Sequence, residues 1–136
     1  MNEEKTKAVF DTNIFISAFK FGGKPEEAYR LACEGRFILY TSPFILYEVH
    51  RVLREYFYWG KDESDFVIGH ISRHSQVINP TLSLNVIKDQ TDNRILECGV
   101  ESRSGFIVSG DKHLLTLGVY EGIKIVKVAD FLNIIT

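Results

Sequence analysis

The chain has little cysteine, no long apolar run and no excess of positive charge. Among its 136 residues there are two cysteines, Cys33 and Cys98. Two thiols cannot fill a four-ligand zinc site and make a poor disulfide framework, so both read as reduced core thiols of a cytoplasmic protein. No stretch approaches the ~20 apolar residues that a membrane helix needs. The N-terminal Met1-Asn2-Glu3-Glu4-Lys5-Thr6-Lys7 is polar and mixed in charge, which is wrong for a secretory signal. Lys plus Arg is 16 against 18 Asp plus Glu, a net charge of −2. That excludes binding of nucleic acid through bulk positive charge. Repeats, low-complexity tracts, linkers, a P-loop and a Gly-x-Gly-x-x-Gly fingerprint are all missing. His50, His70, His74 and His113 form no triad. His70 and His74 are one helical turn apart, and with no other ligand nearby in sequence they read as a solvated helix face.

What is present is an ordinary globular composition, 45% hydrophobic and 25% charged, over a length that suits one domain, residues 1–136. A chain of this size hides roughly two-thirds of its unfolded surface on folding, enough for a real core. Short apolar runs alternate with helical patterns throughout. Strands are expected at Ala8–Phe10, Phe37–Tyr40, Val77–Ile78, Phe106–Val108 and Ile123–Val128. Helices are expected at Ile14–Phe19, Pro25–Glu34, Pro43 to about Tyr56, Asp62–His74, Asp92–Arg103, Lys112–Leu117 and Ala129–Ile135. Thr41-Ser42-Pro43 is a strong helix start, with Ser42 as cap and Pro43 in the first turn. Thr81 to Val86 reads as a loop or weak strand. Continuously apolar strands between helices mean a parallel sheet covered on both faces, a Rossmann-like α/β sandwich.

Ligands of such sheets bind beyond the carboxyl ends of the strands, where strand order reverses. Two strands end in an acid, at Asp11 and Asp111. Either residue alone could be a helix cap; together they mark one edge. Glu48 lies inside the apolar arc of its helix, about 60° from Ile45 and about 40° from Val52 at 100° per residue. A carboxylate there must be paired, bind a metal, lie at a cleft edge, or reach solvent or an Arg from the rim of the stripe. Asp92 sits at a helix start, centred on the inward face between Ile95 and Leu96, where it also suits the helix dipole. Asp89, just before that helix, is the second choice. Four carboxylates on an α/β scaffold suit a hard divalent cation such as Mg²⁺ or Mn²⁺, and two such ions can promote attack of water on a phosphodiester.

These residues lie in four motifs: Phe10-Asp11-Thr12-Asn13-Ile14, Ser42-Pro43-Phe44-Ile45-Leu46-Tyr47-Glu48-Val49, Asp89-Gln90-Thr91-Asp92-Asn93-Arg94-Ile95-Leu96 and Ile107-Val108-Ser109-Gly110-Asp111-Lys112-His113-Leu114-Leu115. In that order, and over nearly the whole chain, the pattern resembles the PIN domain family, most of all toxin components of prokaryotic toxin–antitoxin pairs. The resemblance implies a three-layer sandwich with a five-stranded parallel sheet and a Mg²⁺- or Mn²⁺-dependent ribonuclease cleaving single-stranded RNA to leave a 5′-phosphate. It implies an acidic quartet of Asp11, Glu48, Asp92 and Asp111, with Asn13 and Ser109 in support. It also implies a homodimer and a protein antitoxin that covers the site. Ser109 stands where many members have Thr, His113 where relatives often have Asp, and Glu101-Ser102-Arg103-Ser104 replaces a small-residue stretch.

Arg51, Arg94 and Lys112 lie close in sequence to the acids and are candidate phosphate contacts. An aspartyl-nucleophile phosphatase is a rival reading, but Asn13 stands where that chemistry wants a second Asp. An RNA-processing nuclease and a non-catalytic RNA- or protein-binding module on the same scaffold are the others. The dense aromatic run Tyr56-Phe57-Tyr58-Trp59 cannot all face one side of a helix. At least one of Tyr58 and Trp59 is therefore expected to be exposed, at a dimer or partner interface. Setting the four candidate acids aside leaves 16 basic residues against 14 acids, a mildly basic surface around an acidic pocket.

Overall fold

The computed structural model describes residues 5–136; Met1 to Glu4, part of the polar N-terminal stretch, lie outside the described residues. The elements run β1 (Lys7–Phe10), α1 (Thr12–Lys20), α2 (Gly23–Cys33), β2 (Ile38–Thr41), α3 (Pro43–Glu55), α4 (Lys61–His74), β3 (Gln76–Val77), α5 (Gln90–Ser102), β4 (Phe106–Val108), α6 (Lys112–Leu117), β5 (Val119–Tyr120), β6 (Ile123–Val126) and α7 (Val128–Ile135). The strands form one sheet in the order β3-β2-β1-β4-β6-β5. Five of them are parallel, and β5 pairs antiparallel with β6.

The expected parallel sheet is therefore present, with a sixth strand added at its edge. β5 and β6 are joined by Glu121 and Gly122, both with positive φ (47° and 83°). Such a pair suits the tight hairpin turns whose twist matches the flanking strands. Gly22 and Gly23, with φ of 77° and 69°, make the break between α1 and α2, a backbone that side-chain-bearing residues adopt at a cost.

The sheet is covered on both faces. Phe10 and Phe106 turn to one side, where they meet Phe131 of α7 at ring-centroid distances of 6.2 and 5.8 Å. Phe10 also meets Phe15 of α1 at 5.5 Å, and Phe37 packs edge-on to Phe131 at 5.0 Å. Ile107, between Phe106 and Val108, turns to the other side and meets α5. A Cβ on Gly99 would stand 3.0 Å from its Cδ1, so the small residue lets helix and sheet close together. This is the three-layer arrangement that alternating short strands and helices imply.

Residues 78–89 cross from β3 to α5 without regular structure and are tied down by α5 side chains. Glu101 accepts from the Thr81 amide, Glu97 from the Leu84 amide, and Asn93 from the Val86 and Ile87 amides. In the aromatic run, Tyr58 is 85% exposed, whereas Phe57 and Trp59 pack against the core. Among the described residues no helix is long and apolar enough to cross a membrane.

Candidate active site

Strand order reverses between β1 and β4, which are parallel, hydrogen-bonded neighbours in the sheet centre. Chain order runs outward from β1 through β2 to β3 on one side, and from β4 to β6 on the other. Asp11 follows β1 and Asp111 lies three residues past β4, so the two acids share the crevice predicted from their strands. Each is also a helix cap. Asp11 Oδ1 accepts from the Ile14 amide at 3.1 Å, and Asp111 Oδ1 accepts from the His113 and Leu114 amides at 2.8 and 3.2 Å. The capping reading and the site reading hold together: a cap places a carboxylate at a helix N-terminus, and here two N-termini open on one crevice.

A cavity of about 210 Å³ opens at this edge. Its walls carry five acids (Asp11, Glu48, Asp89, Asp92 and Asp111), one cation (Arg51), and the polar side chains of Thr12, Asn13 and Thr91. The acidic quartet is thus brought together with the second-choice Asp89. Asp89 is the cap of α5, accepting from the Thr91 amide at 2.8 Å. Helix α5 starts at Gln90, two residues earlier than expected, so Asp92 is a first-turn residue rather than a cap.

Burial is the main electrostatic fact of the site. It pushes the Asp11 carboxyl up from 3.8 to about 6, with Asp111 adding to the rise, against hydrogen bonds from Ser109 and the Ile14 amide that pull it down. Asp92 is likewise held well above the usual carboxylate range, first by burial and then by Asp111, Asp89 and Asp11. Asp92 Oδ2 has no hydrogen-bond partner, nor has the neighbouring Thr12 Oγ1. Buried polar atoms left unpaired are costly and uncommon, and both of these belong to residues that line the acidic cavity.

Ser109 is fully buried behind the acids. Its hydroxyl donates to Asp11 Oδ2 and accepts from the Asp111 amide at 2.9 Å, linking the two carboxylate residues. Glu48 carries an ion pair: Arg51, one turn on, reaches its Oε2 at 3.0 Å and Glu55 at 3.4 Å. Both readings of Glu48 are met, since it lines the cavity and reaches an Arg.

The structure does not bring every candidate to the site. Arg94 is turned away, its guanidinium bound to Glu97 at 2.6 Å and to the Leu84 carbonyl at 3.0 Å. It holds the 78–89 segment, and its nearness to Asp92 in sequence is one of position only. Lys112 is exposed at the first position of α6, next to Asp111 but outside the cavity wall. Asn13 is exposed on the wall. Asn93 had no assigned role. Fully buried, it accepts from two loop amides and donates to the Ile87 carbonyl at 2.7 Å, fixing the segment that ends in Asp89. A polar residue beside Asp92 on the inward side of a helix was the signal for it.

Comparison with known proteins agrees with this fold. The PIN domain family profile matches residues 7–113, a span that holds Asp11, Glu48, Asp92 and Asp111. The chain belongs to the PIN domain family. PIN domains are generally nucleases and generally use divalent metals. An uncharacterized protein of Methanocaldococcus jannaschii, MJ1680, is 36% identical over 124 residues, covering 86% of this chain and 78% of the relative. Among solved structures, the fold resembles VapBC2 from Rickettsia felis bound to a DNA fragment from their promoter. The TM-score is 0.62 at 10% identity, over 88% of this chain and 97% of that one. At that identity the likeness is one of fold.

Proposed function

We propose that this PIN domain is a Mg²⁺- or Mn²⁺-dependent endoribonuclease acting on single-stranded RNA, and that it is the toxin component of a toxin–antitoxin pair. The observation that supports this best is the state of the buried acids. Asp11 and Asp92 face one cavity, both carboxyls are shifted upward, and one oxygen of Asp92 is unpartnered. Carboxylates that destabilise one another and leave lone pairs unused suit a hard cation. The donors are all oxygen, which favours Mg²⁺ or Mn²⁺ over softer ions. Asp11, Asp92 and Asp111 would hold the ion, with Glu48 supporting a second one or orienting a water. When bound, such an ion makes water nucleophilic near neutral pH and offsets charge on the phosphate.

The chain's own groups then have separable tasks. Ser109 holds Asp11 and Asp111 in fixed relation and favours ionised Asp11. Arg51 is the cation on the cavity wall and the best-placed contact for a flanking phosphate. Asn13 offers an amide at the rim. Hydrolysis joins the water oxygen to phosphorus, breaks the bond to the 3′ oxygen and delivers a proton there, leaving a 5′-phosphate and a 3′-hydroxyl. Beside the acidic cavity lies an apolar hollow that shares Asn13 and Val52 with it and is edged by Phe21 and Tyr56, which are 71% and 68% exposed. Exposed rings beside a phosphodiester site suit unpaired bases, which stack without need of sequence. A homodimer, a protein antitoxin and action in the cytoplasm complete the reading.

Single-stranded RNA incubated with the protein and Mn²⁺ is expected to yield 5′-phosphorylated fragments, and none with EDTA. Asp92→Asn should lower the rate about 1,000-fold or more; wild-type cleavage by the folded variant would reject the assignment. Ser109→Ala should cost about 10-fold, on the scale of one positioned hydrogen bond to a charged group. Ser109→Thr, which keeps the hydroxyl, should recover most of that loss.

A further inference from the structure

At the other edge of the sheet a second cluster of ligand-type side chains comes together. Cys33 is the last residue of α2, and His70 and His74 lie in the final turns of α4. Both helices lead into parallel strands, so their C-terminal ends lie at the edge opposite the acidic cavity. The solvated-face reading of the two histidines is incomplete. The Cys33 sulfur and one nitrogen of each imidazole all lie within 4.8 Å of one another, the group of that kind found among the described residues. The imidazoles lie with ring centroids 4.6 Å apart.

The surroundings are built. Tyr29, one turn before Cys33, places its hydroxyl 2.7 Å from His70 Nδ1. A partner on one ring nitrogen is what orients a histidine that ligates through the other. Phe19 and Phe66 flank His70, each with its ring centroid 5.8 Å away. A neighbouring cavity of about 260 Å³, lined in part by Cys33, Arg73 and His74, leaves room for a water as fourth ligand. Arg73 is a cation on the wall of that cavity, and burial pushes the Cys33 thiol up, so a cation that binds there displaces its proton.

We propose that Cys33, His70 and His74 form a zinc site with one open position, clipping the end of α2 to the end of α4. One sulfur and two imidazole nitrogens are a donor set for Zn²⁺, and a poor one for the oxygen-seeking ions of the acidic cavity. Tetrahedral zinc holds such atoms roughly 3.3–3.6 Å apart. The three atoms lie within 4.8 Å of one another, so side-chain adjustment of about 1 Å would bring them to that spacing.

The test uses Co²⁺ on the full-length protein with Mg²⁺ in excess, so that the carboxylate site is filled. The expected result is a near-ultraviolet thiolate-to-cobalt charge-transfer band with strong visible bands of tetrahedral cobalt, both removed by one equivalent of Zn²⁺. Cys33→Ser should abolish the charge-transfer band. His74→Ala should weaken affinity by about 100-fold or more, at least what loss of an outer partner costs a metal site. Zn²⁺ should raise the melting temperature of the wild type and of Asp11→Asn, but not of Cys33→Ser. Absence of the band in folded wild-type protein would overturn the proposal. So would its persistence in Cys33→Ser, or equal affinity in folded His74→Ala.

Discussion

Asp11→Asn is expected to move stability and cleavage in opposite directions. In the metal-free protein the Asp11 carboxyl titrates near 6, against 3.8 in the unfolded chain. Between those values the folded state binds more protons than the unfolded state, so stability falls as pH rises. The stabilising effect of the proton is fully present below the unfolded value and is gone above the folded one. The loss from this one group is at most about 3 kcal/mol, at 1.36 kcal/mol per pH unit. Asparagine keeps the acceptor for the Ile14 amide and is as good a helix cap as aspartate, but carries no charge.

In EDTA at pH 8, Asp11→Asn should therefore melt higher than wild type, by a margin on the order of 5 °C. The gap should close toward pH 4. Mn²⁺ should then raise the wild type and leave the variant nearly unmoved, while RNA cleavage by the variant falls about 1,000-fold or more. Melting curves at several pH values, with and without metal, check all of this. A variant less stable than wild type at pH 8 in EDTA would show that the Ser109 hydrogen bond outweighs the burial of the charge.

The same acids mark where sequence reasoning reached its limit. That strands end at Asp11 and Asp111 follows from short apolar runs, and that Glu48 and Asp92 point inward follows from 100° per residue. Their meeting depends on strand order, which is a long-range property: β1 and β4 are separated by most of the chain yet lie side by side. β5 was not legible because two residues, Val119 and Tyr120, are too few to show a period. Its turn depends on positive φ at Glu121 as well as Gly122.

Arg94 was misplaced by counting distance from Asp92 while overlooking Glu97 one turn on, which is the buried partner that captures it. Cys33 was set apart from His70 by 37 positions of sequence, and only the packing of α2 and α4 beside β2 and β3 brings them together. Local chemistry was readable where one helix or strand determines it. Pairings across the sheet were not.

Asn93→Ala is the second substitution with a large expected effect, and it acts without touching a carboxylate. Asn93 sits next to Asp92, fully buried, and its amide group is used on both sides. The oxygen accepts from the Val86 and Ile87 amides at 2.9 Å each, and the nitrogen donates to the Ile87 carbonyl at 2.7 Å. Past Ile78, whose amide donates to the Thr41 carbonyl of β2 at 2.9 Å, the segment is held by α5 side chains, and Asn93 fastens the part next to Asp89. Alanine leaves two amides and a carbonyl without partners, at about 1 kcal/mol each, or about 3 kcal/mol in all. That is a large share of the 5–15 kcal/mol typical of whole domains.

The segment ends in Asp89, which caps α5 and lines the acidic cavity. Loosening it therefore displaces the first turn of α5, which carries Asp92, and cleavage should fall about 10-fold or more in protein that is still folded. Amide exchange at Val86 and Ile87 should speed up ahead of the rest of the chain. Asn93→Asp separates the two roles of the amide: it keeps both acceptors, loses the donor, and places a further charge beside Asp92. It should be milder than alanine near pH 5 and harsher near pH 8, because the added charge raises the Asp92 carboxyl further. Equal exchange rates and equal cleavage in Asn93→Ala would mean that Glu97 and Glu101 hold the segment unaided.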